Sequence, residues 1–197
     1  MTSAPIPRGV TRRGELEDGV LGLILDEGFG HLKLDDVATR LHCSKRTLYT
    51  IAASKEQLVR AVVVRFFRDA TSRVEKAVAD APAAPAARIA AYLDAVATEL
   101  AVASPRFFED VASFAPAREV YERNTRAAAK RIGMLIDDGV EQGAFRSVHA
   151  GFVADLVAAQ MVRIQQRAVA GATGLSDSQA YSELAMLVTS GLTRPVR

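Results

Sequence analysis

From Leu58 to Val78 apolar side chains return every three or four positions without a break: Leu58, Val59, Val62, Val63, Phe66, Phe67, Ala70, Val74 and Val78. That period belongs to the α-helix, and sustained over so long a run it admits no strand. A helix of this kind has one apolar stripe to bury, so the remaining chain must supply partners for it. Ahead of the stripe, Ser54-Lys55-Glu56-Gln57 reads as a capping box, in which the Ser54 hydroxyl and the Gln57 amide satisfy exposed N–H groups. The pattern predicts one long helix over residues 54–80.

The same signals recur on either side. Leu16, Val20, Leu23 and Ile24 mark a helix over residues 13–27, and Gly28 supplies its stop. A short helix over residues 35–41 turns Val37, Ala38 and Leu41 to one side, with Asp35 and Asp36 at its positive end. His42 and Cys43 alone separate it from Ser44, which can cap a further short helix through Thr50. Two short helices joined so tightly read as a helix-turn-helix. Beyond the linker Ala81-Pro82-Ala83-Ala84-Pro85, proline at first-turn positions opens helices over residues 85–103, 106–114 and 117–142. Two more follow over residues 149–170 and 178–192, the last behind a capping box, Ser176-Asp177-Ser178-Gln179. No internal repeat is seen. The expected fold is all-α: an arm over residues 1–11, a three-helix head over 12–57 carrying the helix-turn-helix, and a body of about six helices over 58–197.

Composition narrows the function. Hydrophobic residues fill 49% of 197 positions, enough for a substantial core, while aromatics stay at 6% and Trp is absent, which with abundant Ala favours helix. A formal charge of +2 means that any surface for nucleic acid must be a local patch. The one cysteine, Cys43, allows no internal disulfide and is too little for structural zinc, so neither metal nor cofactor is expected. His31, His42 and His149 lie apart, and no Gly-rich phosphate loop or nucleophile motif accompanies them, which argues against an enzyme. Residues 1–7 lack the apolar segment of a signal peptide, and no stretch suits a bilayer span; a cytoplasmic protein without membrane contact is the expectation.

Gly28, the Val37-Ala38 pair, Ser44 with Lys45, Thr47-Leu48-Tyr49 and Ser54-Lys55-Glu56 together resemble the DNA-binding head of TetR-family regulators. The likeness covers roughly residues 12–60; the rest agrees in length and helix number. It implies double-stranded operator DNA as partner, a homodimer, and release from the operator by a small ligand. On physical grounds Leu48 and Ile51 anchor the short second helix inward, leaving Lys45, Arg46, Thr47, Tyr49 and Thr50 for the major groove behind the Ser44 cap. Arg46 suits a two-pronged contact to guanine. Thr47 and Tyr49 suit phosphates, Lys55 adds charge and exposed amides, and Arg12 and Arg13 reach the backbone from the other side. Three positions depart from the family. His42 stands where glycine is usual, Leu34 replaces a polar cap and leaves that role to Asp35, and Thr50-Ile51-Ala52 lacks an aromatic pair.

In the body, Phe66, Phe67, Tyr92, Phe107, Phe108, Phe114, Tyr121, Met134 and Met161 are expected around one interior suited to a largely apolar ligand. Ordinary core packing explains most of them as well. Asp94, Asn124, Gln160 and Arg163 are candidate polar contacts. The last two helices are expected to pair two copies, with Ala154, Ala158 and Gly191 allowing close approach and Leu156, Val157, Leu184, Leu187 and Val188 burying area. A two-fold protein sets its recognition helices about 34–36 Å apart and so reads a palindrome. A repressor, an activator and a regulator without a small ligand all fit these residues, and a helical adaptor indifferent to DNA is the remaining alternative.

Overall fold

The computed structural model describes residues 8–193, with side chains from Arg13 onward. Residues 1–7 of the arm expected over 1–11, and the Arg12 side chain, lie outside that description. The described residues form ten helices and no strand: α1 (Arg8–Glu27), α2 (Leu34–Arg40), α3 (Lys45–Tyr49), α4 (Lys55–Asp80), α5 (Pro85–Leu100), α6 (Pro105–Ser113), α7 (Ala115–Glu141), α8 (Ala150–Gln165), α9 (Ala168–Thr173) and α10 (Asp177–Leu192).

Most boundaries follow from local chemistry. Ser44, Ser54, Ser104 and Ser176 each accept an N–H from the third residue onward, and Pro85 and Pro105 open their helices behind such caps or in extended backbone. Gly28 takes φ +76° at the end of α1 and Gly143 φ +71° just after α7, a region that costs L-residues about 1–2 kcal/mol.

Three expectations need correcting. Residues 8–11, assigned to the arm, are helical, so α1 begins earlier than its apolar stripe. The cap of α2 comes from Asp36, whose carboxylate accepts the Lys33 N–H at 3.0 Å, and not from Asp35. Asp35 is one residue too early to turn back on that amide and instead pairs with Lys45. The helix expected to run through residue 170 ends at Gln165 because Arg167 adopts φ +60°, and α9 follows as a separate turn, which raises the body to seven helices. No glycine or proline marks that break.

Two buried clusters share α4. Its C-terminal half, with Val74 and Val78, packs with α5, α7, α8 and α10 around Leu93, Ile136, Val157 and Tyr181. Its N-terminal half, Leu58 through Phe67, joins Val20, Ile24, Val37 and Leu48 of the head to Phe107 and Val111 of α6 and Val120 of α7. The packing therefore does not break at residues 57 and 58. One helix belongs to the cores of both head and body. Among the described residues no helix is long and apolar enough to cross a membrane.

Candidate nucleic-acid interface and ligand cavity

The head is built as the spacing requires. Leu48 is buried at 1% exposure, holding α3 against the head, while Ser44, Lys45, Arg46, Tyr49 and Thr50 are exposed on its outer side and Thr47 is half-buried. The turn between α2 and α3 is closed by the Cys43 N–H, which donates to the Ala38 carbonyl at 2.9 Å, and His42 sits there at φ +48°. That is the left-handed conformation for which glycine would be the easier residue.

The polar residues of α3 are not equivalent. The Thr47 hydroxyl lies 2.7 Å from the Ser44 hydroxyl, and that of Thr50 donates to the Thr47 carbonyl at 2.6 Å, so both are engaged by their own helix. Lys45 pairs with Asp35 at 2.9 Å, and that carboxylate holds the ammonium above the usual lysine range. Arg46 makes no ion pair or side-chain hydrogen bond among the described residues and is left free to meet a ligand. Tyr49, at 47% exposure, stands beside it. Lys55 is half-buried and donates to the Gly30 carbonyl at 3.2 Å, placing its charge over the loop that leaves α1. Arg13 bonds Glu17 on its own helix at 2.9 Å. The cationic surface is thin, in line with the small net charge.

A cavity of about 200 Å³ opens between α4, α5, α7 and α8. Phe67, Tyr92, Tyr121, Met161 and Asn124 line it. Others do not. Phe66, Phe107 and Phe114 pack in the cluster that joins head to body, and Phe108 lines two neighbouring grooves that share Leu100, Tyr121 and Gln165 with the cavity. Met134 is half exposed, because its place on α7 turns it to solvent, and Asp94 is exposed on α5. Gln160 and Arg163 bond each other at 3.2 Å on the outer side of α8.

The cavity also contains charges that periodicity gave no reason to select. Arg131 grips Glu75 with two prongs, Nε to Oε1 at 2.8 Å and a terminal nitrogen to Oε2 at 2.9 Å, and Glu99 is held by Arg73 at 2.6 Å. These partners lie 56 and 26 residues apart, so only the folded chain unites them. The Tyr121 hydroxyl donates to Gln165, whose amide donates to the Tyr181 hydroxyl at 3.1 Å. Burial, and then the Glu75 carboxylate, push the Tyr92 phenol up to about 12; burial lifts Tyr121 to about 12 and Tyr181 higher still. No group of His, Cys, Asp and Glu that could hold a metal occurs among the described residues.

The surface of α8 and α10 divides the residues expected at an interface. Ala154, Val157, Ala158, Leu184 and Val188 are turned into their own chain's core. They are core positions of the single chain, and α8 is apolar nearly all round, so its period selects no face. Leu156 and Leu187 are exposed, at 52% and 69%, and Gly191 with them. Phe152 and Met186, not anticipated, complete the apolar surface at 65% and 59%.

Residues 19–62 match the family model described as bacterial regulatory proteins, tetR family. No curated protein matches the chain. Among solved structures, a transcriptional regulator from Saccharomonospora viridis in complex with choline superimposes with a TM-score of 0.79 at 18% identity, covering 94% of this chain and 100% of its own. The reduced form of NemR from E. coli gives 0.77 at 16% identity over 95% and 100% of the two chains. The ketosteroid regulator KstR2 of Mycobacterium tuberculosis gives 0.62 at 21% identity over 93% and 96%. At such identities the body's likeness speaks for the fold, and the head supplies the family signature. The head, over residues 19–62, is thus similar to the tetR family of bacterial regulatory proteins, and the whole chain shares the fold of these solved transcriptional regulators.

Proposed function

We propose that the protein is a cytoplasmic homodimer that represses transcription from a palindromic operator and is released by a small organic ligand held in the body. The observation that carries this reading is α4, whose first half is core to the head while Phe67, Thr71 and Glu75 farther along it line the cavity. A ligand that fits one placement of α4 better than another shifts the head by its difference in affinity between the two states. Arg46 reads base edges, with Tyr49, Thr47 and Lys55 on phosphates. The exposed stripe of Phe152, Leu156, Met186 and Leu187 pairs two copies; an apolar surface of this kind on a lone chain calls for a cover.

The cavity's chemistry favours a compact, mainly apolar ligand with a polar or cationic end. Rings of Phe67, Tyr92 and Tyr121 line the cavity, and aromatic faces attract organic cations, while Glu75 and Glu99 are each already paired with an arginine. The choline held by the Saccharomonospora relative supports the same ligand size and character.

The test has two arms. Gel shifts on the DNA upstream of the gene, run across salt concentrations, should show binding that weakens as salt rises and is lost when Arg46→Ala is combined with Tyr49→Ala. A thermal-shift screen with small amines and apolar compounds should then find a stabiliser that releases the DNA. Salt-independent or absent binding sinks the first half of the proposal; stabilisers that leave the DNA complex intact sink the second.

A further inference from the structure

Among the described residues, Asp110 is the one charged side chain buried in the chain, at 5% exposure. It stands on α6, in the body, yet its Oδ2 accepts the N–H groups of Phe29 and Gly30, at 2.6 and 2.7 Å, in the loop that leads from α1 to α2 of the head. Arg106 lies 3.5 Å from the other oxygen. A second tie runs alongside, from the Ser104 N–H to the Leu25 carbonyl at 2.8 Å. Charged acceptors taking two backbone amides make short, strong and directional bonds, and a buried carboxylate left without them is strongly unfavourable.

The loop is shaped to this carboxylate. A Cβ added at Gly28 would stand 2.5 Å from Oδ2 and one at Gly30 2.7 Å from Oδ1, so both glycines let the backbone approach as closely as the bonds demand. The clamp also adjoins the cavity. Tyr121 and Phe67 of the cavity wall have rings 5.9 Å apart, Phe67 meets Phe66 at 5.1 Å, Phe66 meets Phe107 of α6 at 5.4 Å, and Phe107 meets Phe29 at 6.4 Å. Phe29 is the residue whose amide Asp110 holds. Packed rings cannot deform continuously, so a displacement of α4 or α7 at the cavity has a path to the loop.

We propose that Asp110 is a positioning residue: its clamp on the Phe29 and Gly30 amides fixes the angle of the head on the body, and so sets the distance between the two recognition helices of a dimer. Its consequence for operator binding rests on the dimeric reading given above; the clamp itself does not.

Full-length wild type, Asp110→Asn, Asp110→Ala and Gly30→Ala are compared. Hydrogen exchange at Phe29 and Gly30 reports the clamp: slow in wild type, fast in Asp110→Ala, intermediate in Asp110→Asn, with α1 and α4 unchanged. A spin label on Cys43, the chain's one cysteine and a neighbour of α3, reports head separation between subunits. The separation should be narrow in wild type and broad in Asp110→Ala, with operator affinity lower by roughly tenfold and affinity for an unrelated duplex at low salt unchanged. Gly30→Ala should reproduce the effect, and adding it to Asp110→Ala should do little more, since the collision disappears with the carboxylate. Unchanged exchange at the two amides, or a fallen melting temperature with head separation and operator preference intact, overturns the proposal. A wild-type protein that is monomeric or ignores the upstream DNA sinks the dimeric or operator reading instead. The clamp is then decided by exchange and by the distance from Cys43 to a second label at Ser182→Cys. Should Asp110→Ala not fold, Asp110→Asn and Gly30→Ala carry the same comparison.

Discussion

His42 and Lys45 show how single side chains set the limits of the head. At φ +48° His42 holds a conformation that glycine adopts without steric penalty, so His42→Gly should raise the stability of the head by roughly 1 kcal/mol, less the added chain entropy of glycine. Thermal unfolding checks this, and a lower melting temperature would mean that the imidazole makes a contribution of its own. Lys45 is present on the exposed side of α3 but tied to Asp35, whose carboxylate raises its pKa. Asp35→Asn therefore frees a cation and removes a charge that repels phosphate. DNA binding should tighten a few-fold and the slope of log affinity against log salt should steepen by about one. An unchanged slope would show that Lys45 never meets the backbone. Arg46 needs no such release.

At the scale of helices, the apolar period and the caps were enough to place α4, α5, α6, α7 and α10 within a few residues, since each has a Ser or Pro at or next to its first residue and an apolar face. The break between α8 and α9 was not legible, because it rests on Arg167, a residue with no local preference for it, taking a left-handed φ. The candidate DNA surface was legible for the same reason as the turn: it is local. The cavity was only half legible. Aromatic residues announce themselves, whereas Glu75–Arg131 and Glu99–Arg73 are made by packing α4 against α7 and α5. Asp110 escaped for a similar reason, its partners lying 81 and 80 residues away. Three of the chain's four tyrosines have raised pKa values: Tyr92 and Tyr121 at the cavity, and Tyr181 on α10, bonded to Gln165 of the cavity wall. A phenol whose folded pKa exceeds its unfolded one contributes stability below the unfolded pKa, near 10, and that contribution fades as pH climbs through the folded value. Spectrophotometric titration should find Tyr92, Tyr121 and Tyr181 un-ionised at pH 11 in the folded protein, with unfolding and tyrosinate absorbance arriving together towards pH 12. Free titration of Tyr92 and Tyr121 near 10 in a folded chain would show the cavity open to water.

On the scale of the whole molecule, the proposed reading of a palindrome needs two heads, and the exposed apolar surface of α8 and α10 is the proposed seat of a second copy. Phe152 and Leu156 recur one turn apart on α8, Met186 and Leu187 are exposed on α10, and together these apolar side chains would meet their own counterparts across a two-fold axis. Ala154 and Val157, on the opposite side of α8, are buried in the chain's own core. A carboxylate at the centre of the exposed stripe would have to be desolvated twice, once in each subunit, without a partner. Leu187→Asp should therefore leave the fold intact, since that side chain is 69% exposed in the single chain, and yield a monomer by sedimentation. The monomer's isolated head should still bind any duplex weakly in low salt, while its preference for the two-half-site operator collapses, because linkage of the two heads is what converts a weak contact into a specific one. A Leu187→Asp protein that remains dimeric would place the subunit contact elsewhere, and one that is monomeric yet retains operator affinity would mean that a single head suffices.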